Sequence, residues 1–390
     1  MKLLAMLAVL CLSTVIHGAG LPEGYLDVTT MGADATGKAD STAAIQSAIN
    51  KARDEHLAVW FPAGEYLITN RLVADQQPDK DPDNPCVLMG STVNPQKRAT
   101  LVLAASSPGF NDPTKRRAML HFVNIGTPEE ESGNTSLYNH AVVGLNFRVM
   151  PGNDGAIALR MQGAEGCTIQ DVHIDLTQGG HTGIWGVPAS GGSTHTVTVI
   201  GGKVGIDTRN LGDPENGGGG SQPQPVVSGA TLLNQTEFAV RSSTRGSLVL
   251  VGCRIERNTP GPVIWLKHHW AGQPFDASLQ LVDSVIDYAQ PDALNTVIQM
   301  DSKHTGRSFV LENCYLRHAQ NIWRSDIAGN PQGWLHMQRL AVHVPPPSHN
   351  WGKPSEPIYV DGQVHDDVYV QSTSDVAPPV DLTTRHHLPR

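Results

Sequence analysis

An all-β solenoid, closed at its N-terminal end by one short helix, is the fold class this sequence predicts. Three observations predict it. Short apolar segments recur along residues 141 to 320. The chain of 390 residues holds 39 Gly and 27 Pro with only 17% charged residues, a composition suited to short strands and many turns. The stretch from Gly32 to Thr69 reads as a turn, an amphipathic helix and two strands, which is the layout of a lid on a strand-rich body.

Within that stretch, Gly32, Asp34, Gly37 and Asp40 carry turn chemistry, because Gly tolerates positive φ and Asp bonds nearby backbone. Ser41 or Thr42 suits a helix N-cap, and Ala44, Ile45, Ala48, Ile49 and Ala52 then recur at the three and four spacing of one helix face. Residues 57 to 61 form a brief strand closed by Pro62 and Gly64, and residues 65 to 69 form the next.

Residues 71 to 140 hold a polar loop from Asp75, strands at Leu101 and Met119, and an acidic loop from Thr127 to Asn134. Beyond them the segments starting at Ala141, Cys167, Thr196, Ala230, Cys253, Ser284 and Cys314 share one pattern, a small residue, alternating apolar positions and a polar turn. Their starts fall about 23 to 35 residues apart, a solenoid period, since one repeat cannot bury its apolar face alone. Second strands such as Ala156 to Leu159, Gly183 to Trp185, Val204 to Ile206, Phe238 to Val240, Val263 to Leu266 and Val297 to Met300 lie between them, so each coil holds two or three strands. This register expects Cys167, Cys253 and Cys314 in one interior column as small apolar residues rather than metal ligands; disulfides among the four cysteines from Cys86 onward remain open. The loop Asn210 to Gln224 interrupts the coils on one side.

The run from Gly32 through Ile49, followed by Val59 to Ile68, resembles the N-terminal signature of the pectate lyase superfamily. That resemblance implies a single-stranded right-handed parallel β-helix with a short N-terminal capping α-helix. Members of that superfamily include lyases, hydrolases, epimerases and phage tailspikes, so it implies a fold more than a reaction. The middle of the chain is similar to the N-terminal half of the exo-β-1,3-glucanases of glycoside hydrolase family fifty-five, through Thr168 to Val172, His181 to Trp185, Ala189 to Gly192 and Ile200 to Ile206, and again at Asp381 to Pro389. Thr182 stands where that family has glutamine, and Val187 and Pro188 where it has Glu and Asn. The resemblance implies a second β-helix, in the same protein or on a partner chain, covering the C-terminal end.

Residues 1 to 20 read as a secretory signal peptide: one Lys, a short apolar core and small residues before Gly20. The domain reading is residues 21 to 343 as β-helix and residues 344 to 390 as a Pro-rich extension or linker. The expected location is outside the cell or in the periplasm. A net charge of −9 argues against nucleic acid as partner, and no other run is long enough to span a membrane.

The expected substrate is a polysaccharide, a β-glucan by the closer resemblance, with hydrolysis the favoured reaction. A uronate lyase or hydrolase is the alternative, and a non-catalytic binding or structural β-helix the other. Hydrolysis needs two carboxylates at the scissile bond, and uronate elimination needs a base with a cation to hold the acid. The best cluster in the sequence is Asp171, His173 and Asp175 on one strand face, allowing a bulge near Gln170, joined by His181, Asp207 and Arg209 from the next coils. A solvated strand face is the bland alternative. Trp185, Trp265, Lys267, His269 and Trp270 are candidate sugar-binding residues, because an indole offers a flat apolar face with one N–H donor; loop anchoring is the alternative. Trp323 with Arg324 and Asp326 reads the same way. Glu237 with Arg241, and Arg254 with Glu256 and Arg257, read as cross-coil ion pairs. No cofactor or metal site is expected; calcium enters only with the lyase alternative.

Overall fold

The structure is a computed structural model that describes residues 21–76, 84–123, 137–208, 224–244, 246–267, 278–301 and 308–319, and the strands Asn321–Ser325, Trp334–Gln338, Ala341–His343, Ile358–Val360 and Gln363–His365. Its strands build three long sheets in which every neighbour but the last of the first sheet is about one coil away in sequence. Among the described residues the first sheet has 13 strands, the second 11 and the third 9. All pairs are parallel save the last, where Ile358–Val360 meets Gln363–His365 antiparallel. One coil visits the three faces in turn, as in Ala141–Val143, Asn146–Val149 and Ala156–Arg160, before Thr168–Gln170 starts the next. This is the three-faced parallel β-helix expected from the sequence.

The core is three ladders, one per face, apolar except for the buried Thr194 of the first. On the first, Leu88, Val142, Ile169, Thr194, Val227, Leu250, Leu281 and Leu311 stack in register and are buried. On the second, Tyr66, Leu101, Phe147, Ile174, Val199, Leu232, Ile255, Ile286 and Leu316 do the same. On the third the column is Leu120, Leu159, Ile184, Ile206, Val240, Ile264 and Ile298. Strand alternation alone produces this arrangement, because parallel pairing in register puts like positions over one another about 4.8 Å apart.

The turn from first to second face is made by a column of left-handed residues. Gly144, Asp171, Thr196, Gly229, Gly252, Asp283 and Asn313 all have φ between 51° and 67°. Each of the first six donates its backbone N–H to the last strand residue of the next coil on the first face, as in Asp171 to the His195 carbonyl at 3.2 Å and Asp283 to the Glu312 carbonyl at 2.9 Å. Only Gly adopts this φ freely, while Asp and Asn tolerate it through their short polar side chains. The bulge expected near Gln170 is this corner.

Helix α1 (Thr42–Asp54) starts as expected, with Ser41 in the capping position, but the Ser41 hydroxyl turns back to accept the Asp34 N–H at 2.9 Å. Asp40 takes over the cap, accepting the Thr42 N–H at 2.9 Å and the Thr69 hydroxyl at 2.6 Å. Ile45, Ala48, Ile49 and Ala52 are buried against the end of the solenoid. Leu72–Asp75 is the edge strand of the third sheet. Gln46 of α1 both donates to the Val73 carbonyl and accepts its N–H, each at 2.8 Å, and Arg53 donates to the Asp75 carbonyl at 3.2 Å. The helix therefore satisfies the backbone groups that an edge leaves open.

The expected cysteine column is corrected by the register. Cys86, His140 and Cys167 precede the aligned residues Val87, Ala141 and Thr168 on the first face. Cys253, Ser284 and Cys314 precede Arg254, Val285 and Tyr315 on the second. The recurrent segments mixed two faces, which the period alone does not distinguish. All four cysteines are buried free thiols. Burial raises each thiol, to about 12 for Cys86 and Cys314 and about 11 for Cys167 and Cys253.

Strands Trp334–Gln338 and Ala341–His343 continue the first and second faces past Trp323. Two further strands, Ile358–Val360 and Gln363–His365, lie within the stretch read as an extension. No helix among the described residues is long and apolar enough to cross a membrane.

Candidate functional site

One column of the third face does not follow the apolar rule. Directly after the core ladder residues Leu120, Leu159, Ile184, Ile206, Val240 and Ile264 come His121, Arg160, Trp185, Asp207, Arg241 and Trp265, paired coil to coil in that order. These six stand outside the main core cluster, and Trp185 packs with Ala118 and Ile157 in a small cluster of its own. Five of the six are buried, with Asp207 and Trp185 at 0% exposure.

The chemistry in this column is concentrated. Arg241 donates Nε and Nη2 to Asp207 Oδ2 at 2.9 and 2.8 Å, and its Nη1 lies 3.8 Å from Glu237 Oε2. Lys203 Nζ reaches Glu237 Oε1 at 3.3 Å. Two carboxylates thus share one guanidinium, Asp207 sunk in the floor and Glu237 partly exposed at 39%. Phe238 and Trp265 stand 6.0 Å apart between ring centroids, with the Arg241 guanidinium 6.0 Å over the indole. Arg116 lies 4.4 Å over the Trp185 ring. His181 is buried and its Nδ1 is 2.8 Å from the Thr182 hydroxyl. Burial, with Arg116, Arg241 and Lys203 around it and only Asp207 opposing, holds the His181 imidazole down to about 3. It is a neutral ring at physiological pH.

Of the residues singled out from sequence, His181, Trp185, Asp207 and Trp265 come together here. Asp171, His173 and Asp175 do not join them. Asp171 is a left-handed corner whose carbonyl accepts Arg98 Nη1 at 2.8 Å and whose carboxylate lies 3.9 Å from Arg98. His173 and Asp175 lie on the second face, paired with Asn146 and Arg148. Asp175 accepts the N–H and hydroxyl of Thr177 at 2.9 and 2.6 Å, closing a turn. Burial, with Arg98 and Arg148 near, lowers His173 despite Asp175. Adjacency in sequence placed these three with Asp207, whereas a solenoid sends consecutive strands to different faces.

Lys267 ends a third-face strand; Arg209, His269, Trp270 and Asp326 lie outside the described residues, as do Thr127 to Asn134 and residues 210 to 223 of the long loop. Trp323 and Arg324 fall in register with Ile298 and Gln299 on the third face. The other charged strip divides. Glu237 and Arg241 belong to the column above, Arg254 pairs with Glu256 on the second face, and Arg257 is buried with its guanidinium donating to the carbonyls of Thr236, Glu237, Thr259, Pro260 and Pro262. Arg257 ties a loop and does not join the ion pairs. Arg160, His121, Lys203 and Phe238 were missed from sequence. The recurring apolar–polar pair at the end of each third-face strand is the signal that could have found them. No group of three or more His, Cys, Asp or Glu among the described residues is placed to hold a metal ion.

Fold and column together define a three-faced parallel β-helix with a polar and aromatic ladder on one face. Residues 25–262 match the family model described as rhamnogalacturonase A/epimerase, pectate lyase-like, which is more than half the chain. The chain belongs to that family. Among solved structures it is similar to the tailspike protein of Acinetobacter phage vB_ApiP_P1, with 12% identity, 91% of this chain and 65% of that chain covered, and a TM-score of 0.51. It is also similar to Geobacillus virus E2 ORF18 (12% identity, 86% and 61% covered, TM-score 0.44) and to a hyperthermoactive exopolygalacturonase from Thermotoga maritima (9% identity, 90% and 95% covered, TM-score 0.42). At these identities the likeness is one of fold. The chain spans 61% of the length of the Geobacillus virus protein. No curated protein matches the chain.

Proposed function

We propose that this is a polysaccharide-active protein that holds its glycan along the third face and hydrolyses it there. The observation that carries this reading is the ladder itself. Aromatic, acidic and cationic side chains occupy one register position on successive coils, at Trp185, Asp207, Arg241 and Trp265, with Glu237, Lys203 and Phe238 beside them. A solenoid strand face with no task would carry scattered, solvated polar groups there. Membership of the rhamnogalacturonase and epimerase family supports a sugar polymer as the occupant. So does the exopolygalacturonase among the similar folds, as far as its name goes.

In this reading Trp265 and Phe238 provide the apolar surface against which a sugar ring lies. Glu237 is the carboxyl of this column that reaches the substrate, because Asp207 is buried and committed to Arg241; the second carboxylate that hydrolysis needs then comes from outside the column. Asp207 and Arg241 position Glu237 and fix the local charge. The family fifty-five resemblance points to a β-glucan; its motif His181 to Trp185 builds a third-face strand, and its motif Ile200 to Ile206 runs from the end of a second-face strand into the next third-face strand. A uronate polymer is the second reading, favoured by the surplus of cationic groups around Trp185. Secretion, from the leader-like residues 1 to 20, remains part of the proposal.

Mass spectrometry of products from β-1,3-glucan, pectate, alginate and rhamnogalacturonan tests it. Products carrying added water, lost in Glu237→Gln by about 100-fold or more, are the expected outcome. Products lacking water would replace hydrolysis with elimination. No product with any polymer would reduce the reading to binding.

A further inference from the structure

The carbonyl of Glu237 stands where the third sheet lacks a donor. Elsewhere on this face the first residue of a strand donates its N–H to the carbonyl of the residue before the strand in the preceding coil. Val204 does so to His181 at 3.0 Å, Phe238 to Lys203 at 3.1 Å and Thr296 to Gly261 at 3.4 Å. Strand Pro262–Lys267 breaks the series. Val240 pairs with Ile264, which puts Pro262 level with Phe238, and proline has no N–H to give. The Glu237 carbonyl is thereby left without its ladder donor.

Arg257 supplies another. It is 5% exposed, at the end of the second-face strand Arg254–Arg257. Its Nη1 donates to the carbonyls of Glu237 and Pro262, each at 2.6 Å, and its Nη2 to those of Thr236 at 2.9 Å and Pro260 at 3.2 Å. Its Nε donates to the Thr259 carbonyl at 2.9 Å, so every N–H of the guanidinium is spent on backbone. Burial weighs against the Arg257 charge, and these carbonyl dipoles offset that cost. The bonds to Thr236 and Glu237 hold the entry to strand Phe238–Ser242, and the others hold the loop that leads into Pro262–Lys267. One side chain therefore sets the spacing between the coil that carries Glu237 and Phe238 and the coil that carries Trp265. The Glu237 N–H is fixed as well, by the Lys203 carbonyl at 2.9 Å.

We propose that Arg257 is a positioning residue, standing in for the N–H that Pro262 lacks and so holding Glu237 at a fixed distance from Trp265. This rests on the reading that Glu237 works on a glycan at the third face. A reacting group misplaced by about 1 Å can lose on the order of 100-fold in rate, so the clamp acts on turnover rather than on affinity. Tyr288 provides an internal comparison. It pairs with Arg257 on the next coil, and its hydroxyl donates to the carbonyls of Gly261 at 3.0 Å and Thr296 at 2.7 Å. It ties the same loop through bonds that do not involve Glu237.

The test compares Arg257→Met, Arg257→Met combined with Pro262→Ala, and Tyr288→Phe. Three measurements are made on each: turnover of the polymer that wild type cleaves, urea unfolding and amide hydrogen exchange. Arg257→Met is expected to lower kcat about 10- to 100-fold with KM within about 3-fold of wild type, and to speed exchange of the Glu237 and Phe238 N–H groups. Pro262→Ala returns an N–H at the vacant ladder position. Added to Arg257→Met, it is expected to recover about 5-fold or more of the lost kcat and to slow that exchange again. Tyr288→Phe is expected to lose stability while keeping kcat near wild type. Should Arg257→Met fail to fold, Arg257→Lys takes its place with the same expectations, because an ammonium has three N–H groups and no planar fork. Wild-type kcat in the Arg257 variant, no recovery with Pro262→Ala, or an equal loss of kcat in Tyr288→Phe would each overturn the positioning role. If wild type cleaves no polymer, the glycan reading fails and exchange decides the clamp alone. Faster exchange at Glu237 that Pro262→Ala reverses then supports it, and unchanged exchange overturns it.

Discussion

His140 illustrates how single residues are pinned by the coils around them. Its Nδ1 accepts the Cys86 N–H at 2.9 Å, so the proton sits on Nε2, which faces Gln76 Oε1 at 3.3 Å. Burial, only partly offset by that backbone contact, holds the imidazole down to about 4. In the unfolded chain an ordinary histidine titrates near 6.5. Between these values the unfolded state binds more protons, so stability rises with pH through the window and is lost as pH falls from about 6.5 to about 4. His121 and His181, also held neutral by burial, act in the same direction. Asp34, held at about 2 by the Thr36 hydroxyl and the backbone N–H groups of Thr36, Ala39 and Lys38, loses its contribution only below about 4. Urea unfolding at pH 7 and pH 4.5 should therefore differ by on the order of 2 to 3 kcal/mol for His140 alone, with the lower value at pH 4.5. A flat profile across that interval would contradict the buried neutral histidines.

At the scale of elements, α1 does two jobs that its sequence states separately. The apolar face Ile45, Ala48, Ile49 and Ala52 was plain from its spacing, and so was the lid it forms. The bond between Gln46 and both backbone groups of Val73 was not, because no local pattern names the strand a helix side chain will meet. Gln46→Leu keeps the volume and removes both hydrogen bonds at the sheet edge. It should cost about 1 to 3 kcal/mol in urea unfolding and speed hydrogen exchange at Val73 while leaving Ile174 protected. Unchanged exchange at Val73 would mean that the edge is satisfied some other way. The same limit on local pattern explains the candidate site. Asp171, His173 and Asp175 alternate correctly and do point away from the core ladder, yet a left-handed corner and a Thr177 turn absorb two of them. Asp207, His181, Trp185 and Trp265 were legible because each is an unusual residue beside an apolar strand. Arg160 follows Leu159 in an equally apolar strand, and only the coil-to-coil register aligns it with the others.

For the whole molecule, parallel register turns a one-dimensional repeat into three long faces, two of which the sequence separates poorly. The cysteines show this: Cys86 and Cys167 sit at the start of the first face, Cys253 and Cys314 at the start of the second, and the period from one to the next does not say which. The third face is distinct because its outward column is buried and chemically dense, from His121 to Trp265. That column gives the account its central claim, that a glycan lies along the third face. Crystal structures of the chain soaked with a β-1,3-gluco-oligosaccharide and with an acidic oligosaccharide test it most directly. The account predicts sugar rings against Trp265 and Phe238 beside Glu237; sugar bound instead along the second face, at His173 and Asp175, would contradict it.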